Sequence, residues 1–248
     1  MITIAPETTV RDIVVAYPQA RRLFEAQGID YCCNGGMTLT AAAKRAGQDY
    51  VQLVSAVEQL IQQPPPGDIG RDWSQAPLAE LVDHILDTHH AFSRKQLSRI
   101  DGLLTTVAGA HRRHAEMLLA MRQVFDRLHM EIEQHLLKEE MILFPYIKQL
   151  QPMIAGFEPY VPMHCGSVAR PIEQMQHEHD SAGAALSELR RLSSGYALPP
   201  DGCPTFAELY QSLQELEIDL HEHIHLENNI LFPRAMQAER SFGLPQGA

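Results

Sequence analysis

The sequence predicts an all-α protein in two parts: a small helical domain over 1–65 and an up-down four-helix bundle over 72–242. Three observations carry that expectation. Four long stretches show helical period with no alternating strand pattern to compete with them. A proline run precedes them, and one motif recurs on alternate stretches.

The amino-terminal part reads as short helices punctuated by turn signals. TVRDIVVAY comes first, then PQARRLFEAQ closed by Gly28, and later DYVQLVSAVEQLIQ opened by Asp49. Pro64-Pro65-Pro66-Gly67 cannot continue a helix, which puts a boundary near 64–72. Beyond Pro77 the helical stretches run over 77–107, 112–149, 168–194 and 204–240. They are joined by a short link near Ala108 to Ala110, a Pro/Gly-containing loop over 151–166 and the segment SSGYALPPDGCP. Four amphipathic helices on mostly short links make a bundle.

Composition narrows the partners. Among 248 residues, 20 Lys+Arg stand against 31 Asp+Glu, a formal charge of −11, and no basic stripe is present. Nucleic acid and anionic membrane surfaces are therefore disfavoured. At 45% hydrophobic and 21% charged, the chain has the composition of an ordinary globular protein. The start, MITIAPETTVRD, has no basic segment leading into an apolar one, and the longest apolar run, around Met141 to Ile147, is too short to span a bilayer. These features predict a cytoplasmic protein. Cys32 and Cys33 are adjacent while Cys165 and Cys203 lie alone in loops, so the cysteines form neither a disulfide framework nor a CxxC zinc site.

The histidines carry more information. His135-LLK-Glu139-EMI-LFP recurs 88 residues later as His223-IHL-Glu227-NNI-LFP, both reading HxxxExxxLFP. That period lies far beyond solenoid repeats and implies two-fold pseudosymmetry. On the second helix the seam Met121, Phe125, Leu128, Ile132, His135, Glu139, Ile142 advances by alternating steps of 4 and 3. The fourth helix repeats this rhythm through Phe206, Leu209, Leu213, Leu216, Leu220, His223, Glu227 and Ile230. On the third, Ile172, Met175, His179, Ala182, Leu186 and Leu189 make His179 the inward histidine, while His177 falls off the seam. On the first, Leu78, Leu81 and Ile85 point through His89, whereas Leu97, Ile100 and Leu104 point through His90. The residues leave that choice open, with His90 preferred.

One inward histidine is ordinarily a satisfied core residue. Two carboxylates and several imidazoles converging in one core are different, because an unpartnered buried carboxylate costs several kcal/mol. Something cationic belongs there. A spacing of four places His and Glu about 6 Å apart along one helix face, within reach of the same or adjacent metals. Nitrogen and oxygen donors without thiolate suit iron or manganese better than structural zinc, and two iron ions are the expected cofactor. If Glu139 and Glu227 bridge them beside an oxo or hydroxo group and each ion takes two histidines, open positions remain for small molecules. Glu131, one turn before His135, and Glu178, next to His179, are candidate proton relays, although a solvated helix face explains both. The remaining histidines, His111, His114, His129, His164, His177, His221 and His225, read as surface or loop residues.

HxxxE on two helices, single histidines on the other two and the trailing LFP resemble the hemerythrin-like di-iron bundle. Tyr31-Cys32-Cys33-Asn34-Gly35-Gly36 between short helices is similar to the amino-terminal domain of the iron-sulfur cluster repair di-iron proteins, the repair of iron centres family. The joint likeness covers nearly the whole chain. It implies metal ligands at His90, His135, Glu139, His179, His223 and Glu227, the first matched through Asp83-His84-Ile85 upstream. The chain departs from the oxygen-carrying hemerythrins. Their third helix supplies two histidines four apart, where Met175 and Gly183 flank His179 here, and their fourth-helix carboxylate comes five residues after the histidine rather than four.

The resemblance implies a stress-response protein that protects or repairs iron–sulfur clusters damaged by nitric oxide or oxidants. Iron donation and reduction of nitric oxide, a nitric oxide reductase-type activity, are the two routes it implies. Its partners would be nitric oxide and oxygen as small ligands and damaged iron-sulfur proteins as clients, with a homodimer expected from the family. Cys32 and Cys33 would serve in redox chemistry or iron transfer, or else simply pack a turn. The rival reading is an oxygen or nitric oxide sensor or carrier without turnover.

Overall fold

The computed structural model describes residues 4–62 and 71–242; most of the boundary expected at 64–72 lies outside them. Among the described residues there is no strand, only an isolated bridge between Thr9 and Thr38. The chain divides into two compact units, one of residues 1–76 with 224–234 and one of residues 77–223 with 235–248.

In the first unit, α1 (Val10–Ala16) starts from a capping box in which the Thr9 hydroxyl and the Asp12 carboxylate each accept from the other's backbone N–H. α2 (Ala20–Ala26) ends at Gly28, whose φ of +68° is the left-handed stop that glycine adopts without penalty. α3 (Leu39–Arg45), capped by Thr38, is a helix that the turn signals do not single out, and α4 (Tyr50–Gln62) follows. Val10, Ile13, Phe24, Leu39, Leu53 and Val57 bury their side chains in one core, with Tyr31 and Cys32 against it.

In the second unit, the first bundle helix runs through Leu78–His84, a π-helical turn Ile85–His90 and Ala91–Ala110. The second comprises Ala115–Lys138, a π turn Glu139–Leu143 and Phe144–Ile154. The third is Ala169–Leu192, and the fourth joins Pro204–His225, a π turn Leu226–Leu231 and Phe232–Arg240, with its residues 224–234 counted in the first unit. Neighbouring helices run antiparallel. Gln151 accepts from the Leu78 amide near one end of the first pair. Glu178 meets His135 while Ser181 meets Glu131 across the second and third helices, and His89 meets Asp219 while Arg99 meets Glu208 across the first and fourth.

All four helices feed one core of Leu, Ile and Phe side chains, including Leu97, Phe125, Leu186 and Phe206. One polar cluster is built into it. Glu217, nearly fully buried, accepts a two-pronged contact from Arg190 at 3.0 and 2.9 Å and the Tyr196 hydroxyl at 2.8 Å. Such a fork satisfies both carboxylate oxygens. No described helix is long and apolar enough to cross a membrane.

Candidate metal centre

Three of the four bundle helices break their α register in a π turn, and each break carries or adjoins a residue that the sequence offers as a ligand. His90 closes the first turn, Glu139 opens the second and Glu227 is the second residue of the third. A π turn holds one residue more than the α register allows, so the apolar seam steps over by one position. That step resolves the first helix: Ile85 and Leu97 are both buried on one seam that changes phase between them. It also corrects an expectation. Ile142, placed on the second-helix seam by α periodicity, is 45% exposed, and Leu143 is buried in its stead.

The side chains converge in two overlapping groups. His90, Glu139, His223 and Glu227 each offer a ligand atom within 4.8 Å of the others, and so do His135, Glu139, His179 and Glu227. Both glutamates are common to the two groups, and both are 0% exposed. Glu139 Oε2 lies 3.4 Å from His90 Nε2 and 3.3 Å from His135 Nε2, and His135 Nε2 stands 3.1 Å from His179 Nε2.

Carboxylates on the outside aim two of these rings. His90 Nδ1 donates to Glu140 Oε1 at 2.9 Å, and Arg94 donates to the same oxygen at 2.8 Å. His135 Nδ1 donates to Glu178 Oε2 at 3.0 Å, while Lys138 and Gln174 occupy Glu178 Oε1. With Nδ1 holding the proton, each Nε2 presents its lone pair to the interior, the arrangement that metal-ligating histidines use. Burial works against ionisation of Glu178, yet hydrogen bonds from His135, Lys138 and Gln174 outweigh it and bring its pKa to about 2. Glu140 is likewise held below its usual range against burial, by Arg94 and then His90. Glu178 therefore orients a ring as a carboxylate, and Glu131 accepts a hydrogen bond from Ser181 at 3.0 Å on the exposed side.

His89 stands outside both groups. Its Nδ1 bonds Asp219 at 2.9 Å and its ring stacks on His223 at 5.6 Å between centroids. His225, expected at the surface, is buried instead, and burial together with Arg21 and Arg11 lowers its pKa to about 3. Its Nδ1 accepts from Asn229.

Cys32 and Cys33 are not joined in a disulfide, and their sulfurs lie 3.8 Å apart. Asp30 organises the loop, accepting from the Cys33 amide at 2.9 Å and from the Asn34 side chain at 2.5 Å, and its ligand atoms group with both sulfurs. The hydrogen bond with Cys33, then burial, raises the Cys32 thiol well above its usual range. Cys203, without a legible role in the sequence, lies 3.1 Å from His111 Nε2, and that contact lowers its pKa to about 7.

Sequence reasoning missed Glu140, Asp219, Asn228 and Asn229. The first two lie beside the faces that carry the converging donors and look like ordinary solvated acids in the linear pattern. The asparagines had a signal, because they fill the two positions between the shared glutamate and the shared Ile-Leu-Phe-Pro at which the repeated motifs disagree.

An antiparallel helical bundle with buried histidines and shared carboxylates defines a hemerythrin-type cation-binding protein. Residues 81–235 match the family described as Hemerythrin HHE cation binding domain, and the chain belongs to that family. Residues 6–61 match a second family, described as a Domain of Unknown function (DUF542). The chain is similar over nearly its whole length to proteins named Iron-sulfur cluster repair protein YtfE. Those of Citrobacter koseri and Escherichia coli O157:H7 are each 37% identical over 229 residues, covering 92% of this chain and 96% of the relative.

Proposed function

We propose that the protein binds two iron ions and uses them to protect or repair iron–sulfur clusters damaged by nitric oxide or oxidative stress. The sharing of Glu139 and Glu227 between two groups of donors carries this reading. His90 and His223 would hold one ion, His135 and His179 the other, with both carboxylates and an oxo or hydroxo group bridging. The donor set fits. Four imidazole nitrogens and two carboxylates without thiolate suit iron, and the two Nδ1–carboxylate bonds turn His90 and His135 inward before any ion arrives.

When bound, the pair of ions would supply open coordination positions and redox change to a small diatomic ligand. The chain's own residues do the rest. Glu140 and Glu178 hold two rings in one tautomer, Arg94 and Lys138 keep those carboxylates ionised, and the burial of all six donor residues excludes bulk water. The names of the YtfE relatives support iron–sulfur clusters as clients. Iron donated from the bundle to a damaged cluster, with Cys32 and Cys33 passing it as thiolates, is one route; reduction of nitric oxide is the other. We place this work in the cytoplasm, in a homodimer.

The test begins with metal analysis and an absorption spectrum on protein made in iron-supplied cells. About two irons per chain with a near-ultraviolet bridge band are expected, and about none after His135→Ala with Glu139→Ala. The loaded protein should then restore activity to a nitric oxide-damaged iron–sulfur enzyme, while headspace analysis for nitrous oxide separates the two routes. Iron binding with neither restoration nor nitrous oxide would overturn repair in favour of sensing or carriage.

A further inference from the structure

The two copies of the repeated motif diverge immediately after the glutamate: Glu140-Met141 in the first, Asn228-Asn229 in the second. Their surroundings diverge as well. Met141 is 69% exposed, whereas Asn228 and Asn229 are 4% and 5% exposed. What covers them is the loop carrying the cysteine pair. Asn229 Nδ2 donates to the Tyr31 carbonyl at 2.9 Å and to His225 Nδ1 at 2.9 Å, and its Oδ1 accepts from Arg11 Nε at 2.9 Å. Both N–H groups and the oxygen of that amide are engaged. Asn228 Nδ2 donates to the Cys32 carbonyl at 3.2 Å.

The loop is shaped to receive them. A Cβ at Gly35 would lie 2.4 Å from Asn229 Oδ1 and 2.9 Å from the Tyr31 carbonyl, so this position closes only as glycine. Cys32 is 5% exposed, and reagents reach its sulfur only when the loop opens. Glu227, Asn228 and Asn229 are consecutive residues of the π turn Leu226–Leu231. A π turn carries one residue beyond the α register, and a change of register swings each following side chain by about 100°. The turn cannot move Glu227 without breaking the amide contacts to the loop.

We propose that Asn228 and Asn229 form a latch that couples iron held at Glu227 to closure of the Cys32–Cys33 loop. Iron at Glu227 keeps the turn in register and the thiols covered; departure of iron frees the turn and uncovers them. The coupling is reciprocal, so opening the loop weakens the hold on iron by the same factor that iron tightens the loop. This rests on the reading of Glu227 as an iron ligand and adds the order of events, with the thiols exposed as iron leaves.

Alkylation of the full-length protein with iodoacetamide, scored at each cysteine by peptide mass spectrometry, tests the latch in iron-loaded and iron-free samples. Asn229→Asp keeps the acceptor for Arg11 and removes both donors, and Asn228→Ala removes the bond to Cys32. In iron-loaded protein each variant should raise the Cys32 rate about tenfold, the factor for losing one or two buried hydrogen bonds. Cys165 and Cys203 serve as internal standards and should keep their rates. Iron should slow Cys32 in the parent and much less in the variants, and the variants should yield iron faster to a ferrous chelator. Unchanged Cys32 rates overturn the latch, as does acceleration of all four cysteines together or an equal response to iron in parent and variants. Failure of the parent to hold iron would overturn the di-iron reading and the coupling, while parent and variant rates in iron-free protein would still decide whether the asparagines close the loop.

Discussion

Glu139→Gln should invert the order of thermal stability between iron-loaded and iron-free protein. Glu139 is 0% exposed, and the His90 and His135 rings, at 3.4 and 3.3 Å from its Oε2, are able to carry positive charge beside it. Without a metal, a carboxylate buried there costs several kcal/mol. Protonation of either ring would return part of that, leaving about 2 kcal/mol to be relieved by an isosteric amide. For a unit of this size about 2 kcal/mol raises Tm by about 4–8 °C. With iron the sign reverses, because the amide is a poorer ligand than the carboxylate. Calorimetric melts of parent and variant at pH 7.5, each with iron and after chelation, give four temperatures. The parent should melt higher when loaded and lower when stripped. A stripped variant that melts at or below the stripped parent would refute the idea that these carboxylates are held in place for a cation.

Other outcomes follow from named contacts. Glu140→Ala and Glu178→Ala each release the Nδ1 proton of an inward ring and should weaken iron binding about 10–100-fold in chelator competition, the usual cost of losing such a partner. Glu217→Ala removes the acceptor of the buried Tyr196 hydroxyl, while water still reaches the half-exposed Arg190 guanidinium, and should lower unfolding free energy by about 1–2 kcal/mol in urea titration, with iron content unchanged. Cys203 alkylation should rise with pH through a midpoint near 7, since the thiolate is the reacting form, and His111→Ala should move that midpoint upward.

Periodicity suffices to read the bundle because its helices are amphipathic and their seams long. Leu128, Ile132, Leu216 and Leu220 recur at steps that only a helix can bury on one face, and all four are buried. What it could not read are the places where the helix leaves its own period. Ile142 falls off the seam that α periodicity predicts for that reason, and His89 and His90 look interchangeable because the residues on either side belong to different phases of one seam. A π turn leaves no compositional mark; its trace in the sequence is the phase conflict itself. His225 eluded the reading for another reason: it is buried by residues of the amino-terminal loop, and single-helix periodicity says nothing about a segment distant in sequence.

The same reasoning explains why one repeat is polar where the other is apolar. Each copy gives up α geometry at its glutamate, and each π turn leaves backbone and side chains to be satisfied on the outer side. In the first copy, solvent and an ion pair do this: Met141 is exposed and Glu140 joins Arg94 to His90. In the second copy the outer side is buried, and a buried turn needs side chains that are neutral, short and able to both donate and accept. Asparagine meets all three conditions, and a glutamate at Asn228 would bring a second buried charge beside Glu227. The pseudosymmetry of the carboxylates is thus preserved at the centre while the positions behind them differ with what each turn must face.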